Sequence, residues 1–248
     1  MLLAFLALPV AALLLRAFAP GALTSLTAPA AVEALRLSAL TTVISMAFVI
    51  AFGTPLAYVL ARFRFPGRRI LDALVDVPIV LPPVVAGVAL LLVFGRRGWI
   101  GGPLAELGID LAFTTTAVVL AQIFVASPFY IRALEVGFRG VPRALEAAAR
   151  IDGASRWGAF WRVTWPLALP AFTEGLVLAW ARALGEFGAT IVFAGSLQGR
   201  TRTLPLAIYA TLERDLEAAI ALSGVLAVVA LGTFFIVRSL TRPVRDEM

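Results

Sequence analysis

The 248-residue chain contains no cysteine, no histidine and no lysine, and each absence removes a chemistry. Without cysteine there is no disulfide, thiolate metal site or thiol nucleophile; without histidine the usual general base and the commonest metal ligand are missing. All 21 basic residues are arginine, so the phosphate-binding pattern GxxxxGK[ST] does not occur and any nucleotide chemistry must sit on a partner. Charge is scarce as well. Only 15% of residues are charged against 61% hydrophobic, with a mean hydropathy of +0.96. That leaves little with which to cover a soluble surface, and the chain reads as an integral membrane protein. The net charge of +6 does not point to nucleic acid, because the arginines gather in short loops and near the C-terminal end, where membrane orientation accounts for them.

What is present in abundance is apolar sequence in long runs. Six segments, 2–19, 37–61, 70–94, 112–134, 167–194 and 216–238, are each long enough to cross a hydrocarbon core of about 30 Å as helices. None shows the short alternation of a barrel strand, and helices satisfy their own backbone hydrogen bonds in lipid. The expected fold is all-α and integral to the membrane: one domain over 1–248, a six-helix transmembrane bundle. Arginines orient it. Arg62, Arg64, Arg68, Arg69, six more between 132 and 162, and Arg238, Arg242 and Arg245 fall on one side; Arg36, Arg96, Arg97, Arg200, Arg202 and Arg214 fall on the other. The positive-inside rule then places both termini in the cytoplasm. Ala17-Phe18-Ala19 imitates a signal-peptide cleavage site, but no basic region precedes it, and Arg16 and Pro20 flank it, so the first helix is expected to be retained.

The most informative stretch is the charged, amphipathic insert 139–166 between the fourth and fifth segments. Pro142 suits a helix start, and Arg143 to Ile151 predicts a short helix with Ala144, Leu145, Ala148 and Ile151 on or near one face. Arg143, Glu146, Arg150 and Asp152 are then available to a partner, and Gly153 stands where a C-cap belongs. A second amphipathic run, Arg156 to Trp165, carries three tryptophans and suits the headgroup level. On these features alone the insert is either a docking element or an interfacial loop with arginine anchors.

The insert resembles the EAA loop of bacterial ABC-importer permease subunits, in which EAA is followed by three residues, Gly, nine residues and Ile-x-Leu-Pro. Gly153 fits the glycine, and Val163, Trp165 and Pro166 fall at the Ile, Leu and Pro positions. Ala147, Ala148 and Ala149 occupy the EAA positions, so Glu146 stands one residue before the acidic one. Further segments, FPGRRILD at 65–72, LPPVVAG at 81–87, GRRGWIG at 95–101, ARALGEFGAT at 181–190 and GRTRTLPLAIY at 199–209, are together similar to molybdate permease subunits, with sulfate permeases as close relatives. The resemblance implies the type I ABC importer permease fold, with 139–166 as a cytoplasmic coupling loop. It also implies a permease of a bacterial or archaeal cytoplasmic membrane, translocating molybdate or tungstate by alternating access. The implied partners are a second permease copy in a homodimer, two ABC ATPase subunits, an extracytoplasmic oxyanion-binding protein and membrane lipid. ATP and Mg2+ would belong to the ATPase, with no cofactor on this chain. Arg143, Glu146, Ala147, Ala148, Arg150, Asp152 and Gly153 are the coupling candidates, and a bulky residue at Gly153 is expected to uncouple hydrolysis from transport.

Residues inside the apolar segments suggest a path. Arg182 and Glu186, four apart, would share a helical face and neutralise each other, marking a protein-facing side of the fifth helix. That face either lines the path or holds helices together. Gly185 and Gly188 permit close helix approach. Pro55, Pro78, Pro82, Pro83 and Pro128 interrupt apolar spans, freeing carbonyls that are poor anion ligands. Hydroxyls serve an anion better, which makes Thr41, Thr42, Ser45, Ser127 and Thr190 path candidates, though each is equally able to bond its own helix. Asp72 and Asp76 stand near a helix start, where the dipole favours acids. Arg96, Arg97, Arg200 and Arg202 are placed to steer an oxyanion or to anchor the interface. Two other classes remain: a secondary transporter or channel, which needs no ATPase, and an intramembrane enzyme, for which only carboxylate or serine chemistry is left.

Overall fold

A computed structural model describes residues 1–19 and 27–240; Pro20, Arg242 and Arg245 lie outside them. Every regular element among these residues is helical. In chain order they are α1 (Leu2–Ala17), α2 (Pro29–Arg62), α3 (Arg68–Val80), α4 (Pro83–Phe94), α5 (Gly101–Glu106), α6 (Thr115–Gly140), α7 (Arg143–Ile151) and α8 (Arg156–Ala159). A π-helical segment, Phe160–Thr164, follows, and then α9 (Trp165–Leu184), α10 (Gly188–Phe193), α11 (Leu204–Leu212) and α12 (Leu216–Leu240). Four helical stretches are long and apolar enough to cross a membrane: α2, α6, Arg156–Leu184 and Leu216–Ile236. α1 and α4 are apolar but shorter.

Two of the six expected spans are broken. The segment 70–94 is divided at Leu81 and Pro82, both extended, because a residue preceding proline is driven out of the α region and two prolines follow in succession. Pro83 then starts α4, where its missing N–H is no loss. The segment 167–194 ends its helix at Leu184 and resumes at Gly188. By contrast Pro55, Pro78 and Pro128 stay inside continuous helices. α2 also begins well before residue 37, and α6 runs on past residue 134 to Gly140.

The chain forms two compact units. The first holds Met1–Ile44, Pro82–Gln122 and Leu184–Thr233. In it α4 and α10 meet at glycines. A Cβ on Gly87 would lie 2.7 Å from Val192 Cβ and 2.8 Å from the Ala189 carbonyl oxygen, and one on Gly188 would lie 2.5 Å from Pro83 Cβ. Only hydrogen fits there, so the backbones gain dispersion contact that any larger residue would forfeit. α1 docks on α12 through fully buried Ala17 against Gly224, and Arg16 pairs with Glu217 at 2.8 Å.

The second unit holds Ser45–Leu81, Ile123–Ala183 and the chain from Phe234. Its core is a seam of α2, α6 and α9 built around buried Leu60, Tyr130, Leu134 and Phe138. The Tyr130 hydroxyl shares a 2.6 Å hydrogen bond with Thr54, which meets its polar requirement inside an apolar core. α9 approaches α6 where a Cβ on Gly175 would stand 2.9 Å from that of Ala133. This unit carries the 139–166 insert.

Candidate functional site

The short helix α7 lies on the surface with apolar as well as charged residues uncovered. None of its residues is buried; Leu145 is 46% exposed and Ile151 86%. Its one inward polar side chain is Glu146, whose Oε1 accepts from Arg62 Nη2 at 2.7 Å and from the Thr164 hydroxyl at 2.6 Å. Arg62, at the end of α2, also donates to the Val141 carbonyl at 3.1 Å, and Arg143 donates back to the Arg62 carbonyl at 3.0 Å. The clasp thus ties three elements together: the last residue of α2, the first turn of α7, and the π-helical segment through Thr164. It is protected from water, the side chains of Arg62 and Glu146 being 7% and 23% exposed.

α7 is also bounded sharply. Pro142 holds the extended N-cap conformation, and Gly153 follows the helix at φ +90°, a conformation glycine adopts without penalty. Gly153 N–H then donates to Arg150 and Ala154 N–H to Ala149, which satisfies two terminal carbonyls in a Schellman arrangement. Both ends anticipated from sequence are therefore present. Glu146 and Arg143, read as available to a partner, are engaged with their own chain. Arg143 stays exposed, whereas Glu146, one residue before the EAA positions, is turned by about 100° from the residue that follows it and meets Arg62 and Thr164. Ala147, Ala148, Arg150 and Asp152 face outward and are exposed.

Beside the clasp lies an ion network that sequence reading missed. Arg132 on α6 donates to Asp76 at 2.7 Å and to Asp72 at 2.9 Å on α3, and pairs with Glu135 one turn further along α6. Glu135, 2% exposed, is also bonded by Arg139 and lies 3.8 Å from Arg68. Three guanidinium groups thus face three carboxylates, and a buried carboxylate is tolerated because it is surrounded by cations and donors. Asp72 and Asp76 are consumed by this network. Among the described residues no group of carboxylates is placed to hold a metal ion.

The path candidates are dispersed. Thr41 is bonded back to Leu37 and Ser38 on its own helix, and Thr42 accepts from Gln122 at 3.4 Å. Ser45 is buried in α2, whereas Ser127 on α6 and Arg182 on α9 are half-buried. α9 ends at Leu184 and α10 starts at Gly188, so Arg182 and Glu186 are not four residues apart on one continuous helix. Glu186, 1% exposed, instead accepts from the Ala189 N–H at 2.7 Å, supplying the acceptor that a helix starting inside an apolar region requires. The buried Thr190 hydroxyl in the same helix has no hydrogen-bond partner. Two of the arginines read as facing outward are engaged as well. Arg96 grips Asp110 with two bonds of 2.8 and 2.7 Å, holding that carboxyl below the usual carboxylate range, and Arg202 donates to Ser196.

Several helices of membrane-crossing length, with a clasped surface helix between two of them, define a multi-spanning membrane protein. The sequence pattern of the family described as binding-protein-dependent transport system inner membrane component matches residues 53–246, and the chain belongs to that family. It is 48% identical over 226 residues to the molybdenum transport system permease protein ModB of Mycobacterium bovis, covering 91% of this chain and 86% of that one. A probable sulfate transport system permease protein cysT of Chlorokybus atmophyticus is 40% identical over 185 residues, covering 74% and 65%. The fold is shared with a crystal structure of a bacterial alginate ABC transporter in complex with an alginate pentasaccharide-bound periplasmic protein. The TM-score is 0.74 at 19% identity, covering 98% of this chain and 91% of that chain.

Proposed function

We propose that the chain is the membrane-spanning permease subunit of an ATP-driven importer that carries molybdate or tungstate into the cytoplasm. The observation that carries this reading is α7, a helix with its carboxylate turned inward onto Arg62 and its apolar and remaining charged residues turned outward, as a surface to be gripped requires. The 48% identity to a molybdenum permease supports the substrate.

The assembly is a homodimer of this chain with two ATPase subunits and an extracytoplasmic oxyanion-binding protein, in a cytoplasmic membrane with both termini inside. ATP and Mg2+ bind the ATPase. Closure of the two ATPases draws the two α7 helices together, and the clasp converts that pull into movement of α2 and α9, because Arg62 and Thr164 both hold Glu146. An outward-open path then receives the oxyanion, and hydrolysis resets it. The binding protein supplies most of the selectivity, so a tight oxyanion site in the permease is not required. Thr190, a buried hydroxyl without a partner, is the path candidate best suited to a transient anion.

Uptake into proteoliposomes containing the chain, its ATPase and its binding protein tests this. ATP-dependent accumulation of molybdate or tungstate, unaffected by excess sulfate, is expected; uptake without the ATPase would overturn the importer mechanism. Sulfate is the second reading, favoured by the 40% identity to a sulfate permease, and ATP-dependent sulfate uptake would establish it instead.

A further inference from the structure

In the second unit an apolar groove of about 590 Å³ runs along the last three turns of α2. Ile50, Pro55 and Val59 form one wall and Trp157, Phe160 and Trp161 the other. The aromatic wall is rigid. Phe160 packs edge-on against Tyr58 at 5.2 Å and against Trp161 at 5.2 Å, an arrangement stabilised by ring quadrupoles. The π-helical turn contributes by widening the helix locally and re-aiming its side chains. Trp157 and Trp161 nonetheless remain 72% and 55% exposed, so the groove is open along its length.

One charged residue lines it, Arg156, and the same arginine lines an adjoining cleft of about 500 Å³ together with Arg150 and Ser155. An apolar channel therefore opens, at a single cation, onto a polar and basic cleft. Its position along the chain matches a bilayer boundary: the groove follows the end of a membrane-length helix, beside a loop with Arg64, Arg68 and Arg69 and among tryptophans that favour the headgroup level. A ligand that fits must be a long hydrocarbon at one end and an anion at the other.

We propose that this groove is a binding site for an anionic phospholipid, with an acyl chain between α2 and the aromatic wall and the phosphate on Arg156. A phospholipid supplies both ends in one molecule. Basic residues flanking apolar grooves at a membrane surface select anionic headgroups, each contributing roughly 1 kcal/mol, or about a fivefold preference. The site depends only on the chain being embedded in a bilayer, so its failure would leave the transport reading untouched.

The test is native mass spectrometry of the full chain released from nanodiscs of equimolar phosphatidylglycerol and phosphatidylcholine. The wild-type chain is expected to retain phosphatidylglycerol over phosphatidylcholine roughly fivefold. Arg156→Gln, at an exposed position that leaves packing intact, should retain lipid but lose the preference. Ala51→Phe, which fills the groove from its apolar wall, should lose retained lipid of both classes, while Arg64→Gln in the exposed loop should match wild type. Retention without headgroup preference in the wild type, an undiminished preference in Arg156→Gln, or a lipid-free groove covered by a second copy of the chain would each overturn the proposal.

Discussion

Exchange of Glu146 for glutamine keeps shape and removes one charge, which makes it the sharpest probe of the clasp. In the wild type, Oε1 of Glu146 accepts from Arg62 and Thr164, and the Arg62 Nε is already buried without a partner. A neutral amide in that position leaves a largely buried guanidinium with no counter-charge. Hydrogen bonds to charged groups contribute about 1.5–3 kcal/mol, and losing one partner of a fully buried pair costs about 3–5 kcal/mol. Glu146 keeps some solvent contact, its side chain being 23% exposed, so the range for hydrogen bonds to charged groups applies rather than that for a fully buried pair, about 2 kcal/mol. This is a local quantity. The membrane helices stay packed, while α7 opens roughly 30-fold more often, since each 1.4 kcal/mol is tenfold. Hydrogen–deuterium exchange of the α7 amides in the purified chain measures it directly, and Thr164→Val should give a smaller effect in the same amides, about 1 kcal/mol for one hydroxyl donor. In the reconstituted transporter the same variants should hydrolyse ATP with reduced uptake per ATP. Unchanged α7 exchange in Glu146→Gln would refute the clasp, whatever transport does.

Three further outcomes follow from the geometry. Gly153→Val should destabilise the α7 end by about 1–2 kcal/mol through its positive φ, with Gly153→Asn largely spared; because a Cβ there meets nothing within 4 Å, equal losses in both would point to contacts with a partner. Glu135→Gln should lower the thermal stability of the purified chain by about 3 kcal/mol, more than Asp76→Asn, since Glu135 is buried among three arginines whereas Asp76 is half-exposed; equal effects would count against the network. The carboxyl of Asp110, depressed by its hydrogen bonds to Arg96, contributes stability above the ordinary carboxylate range and loses it as pH falls through its lowered folded value. Asp110→Asn should therefore lower stability slightly at neutral pH and flatten the acid limb of stability measured against pH, variant and wild type converging as the wild-type carboxyl is protonated.

Sequence length and hydropathy made the helical segments legible because a bilayer demands roughly twenty apolar residues per span. Where one span became two, legibility differed. The break at Leu81-Pro82 was written locally, in consecutive prolines that forbid α geometry just before them. The break after Leu184 was not: Gly185 alone does not end a helix, and Glu186 shows its capping role only once the Ala189 N–H is placed against it. The ends of α7 were legible for the same local reason as the proline break, through Pro142 and Gly153. The clasp was hidden because its partners are 84 residues apart, and Arg62 had already been absorbed into the count that orients the chain. Arg132 and Glu135 were hidden likewise. Charges near a helix end look like interface anchors until the facing helix brings Asp72 and Asp76 against them.

A surface helix that leaves large apolar residues uncovered also bears on the life of the protein before assembly. Leu145 and Ile151 of α7 stand in water whenever nothing covers them, and exposed apolar residues of this kind are what proteases and chaperones recognise. If the proposed ATPase subunit covers α7, the chain synthesised without it should be short-lived, its abundance following that of the ATPase.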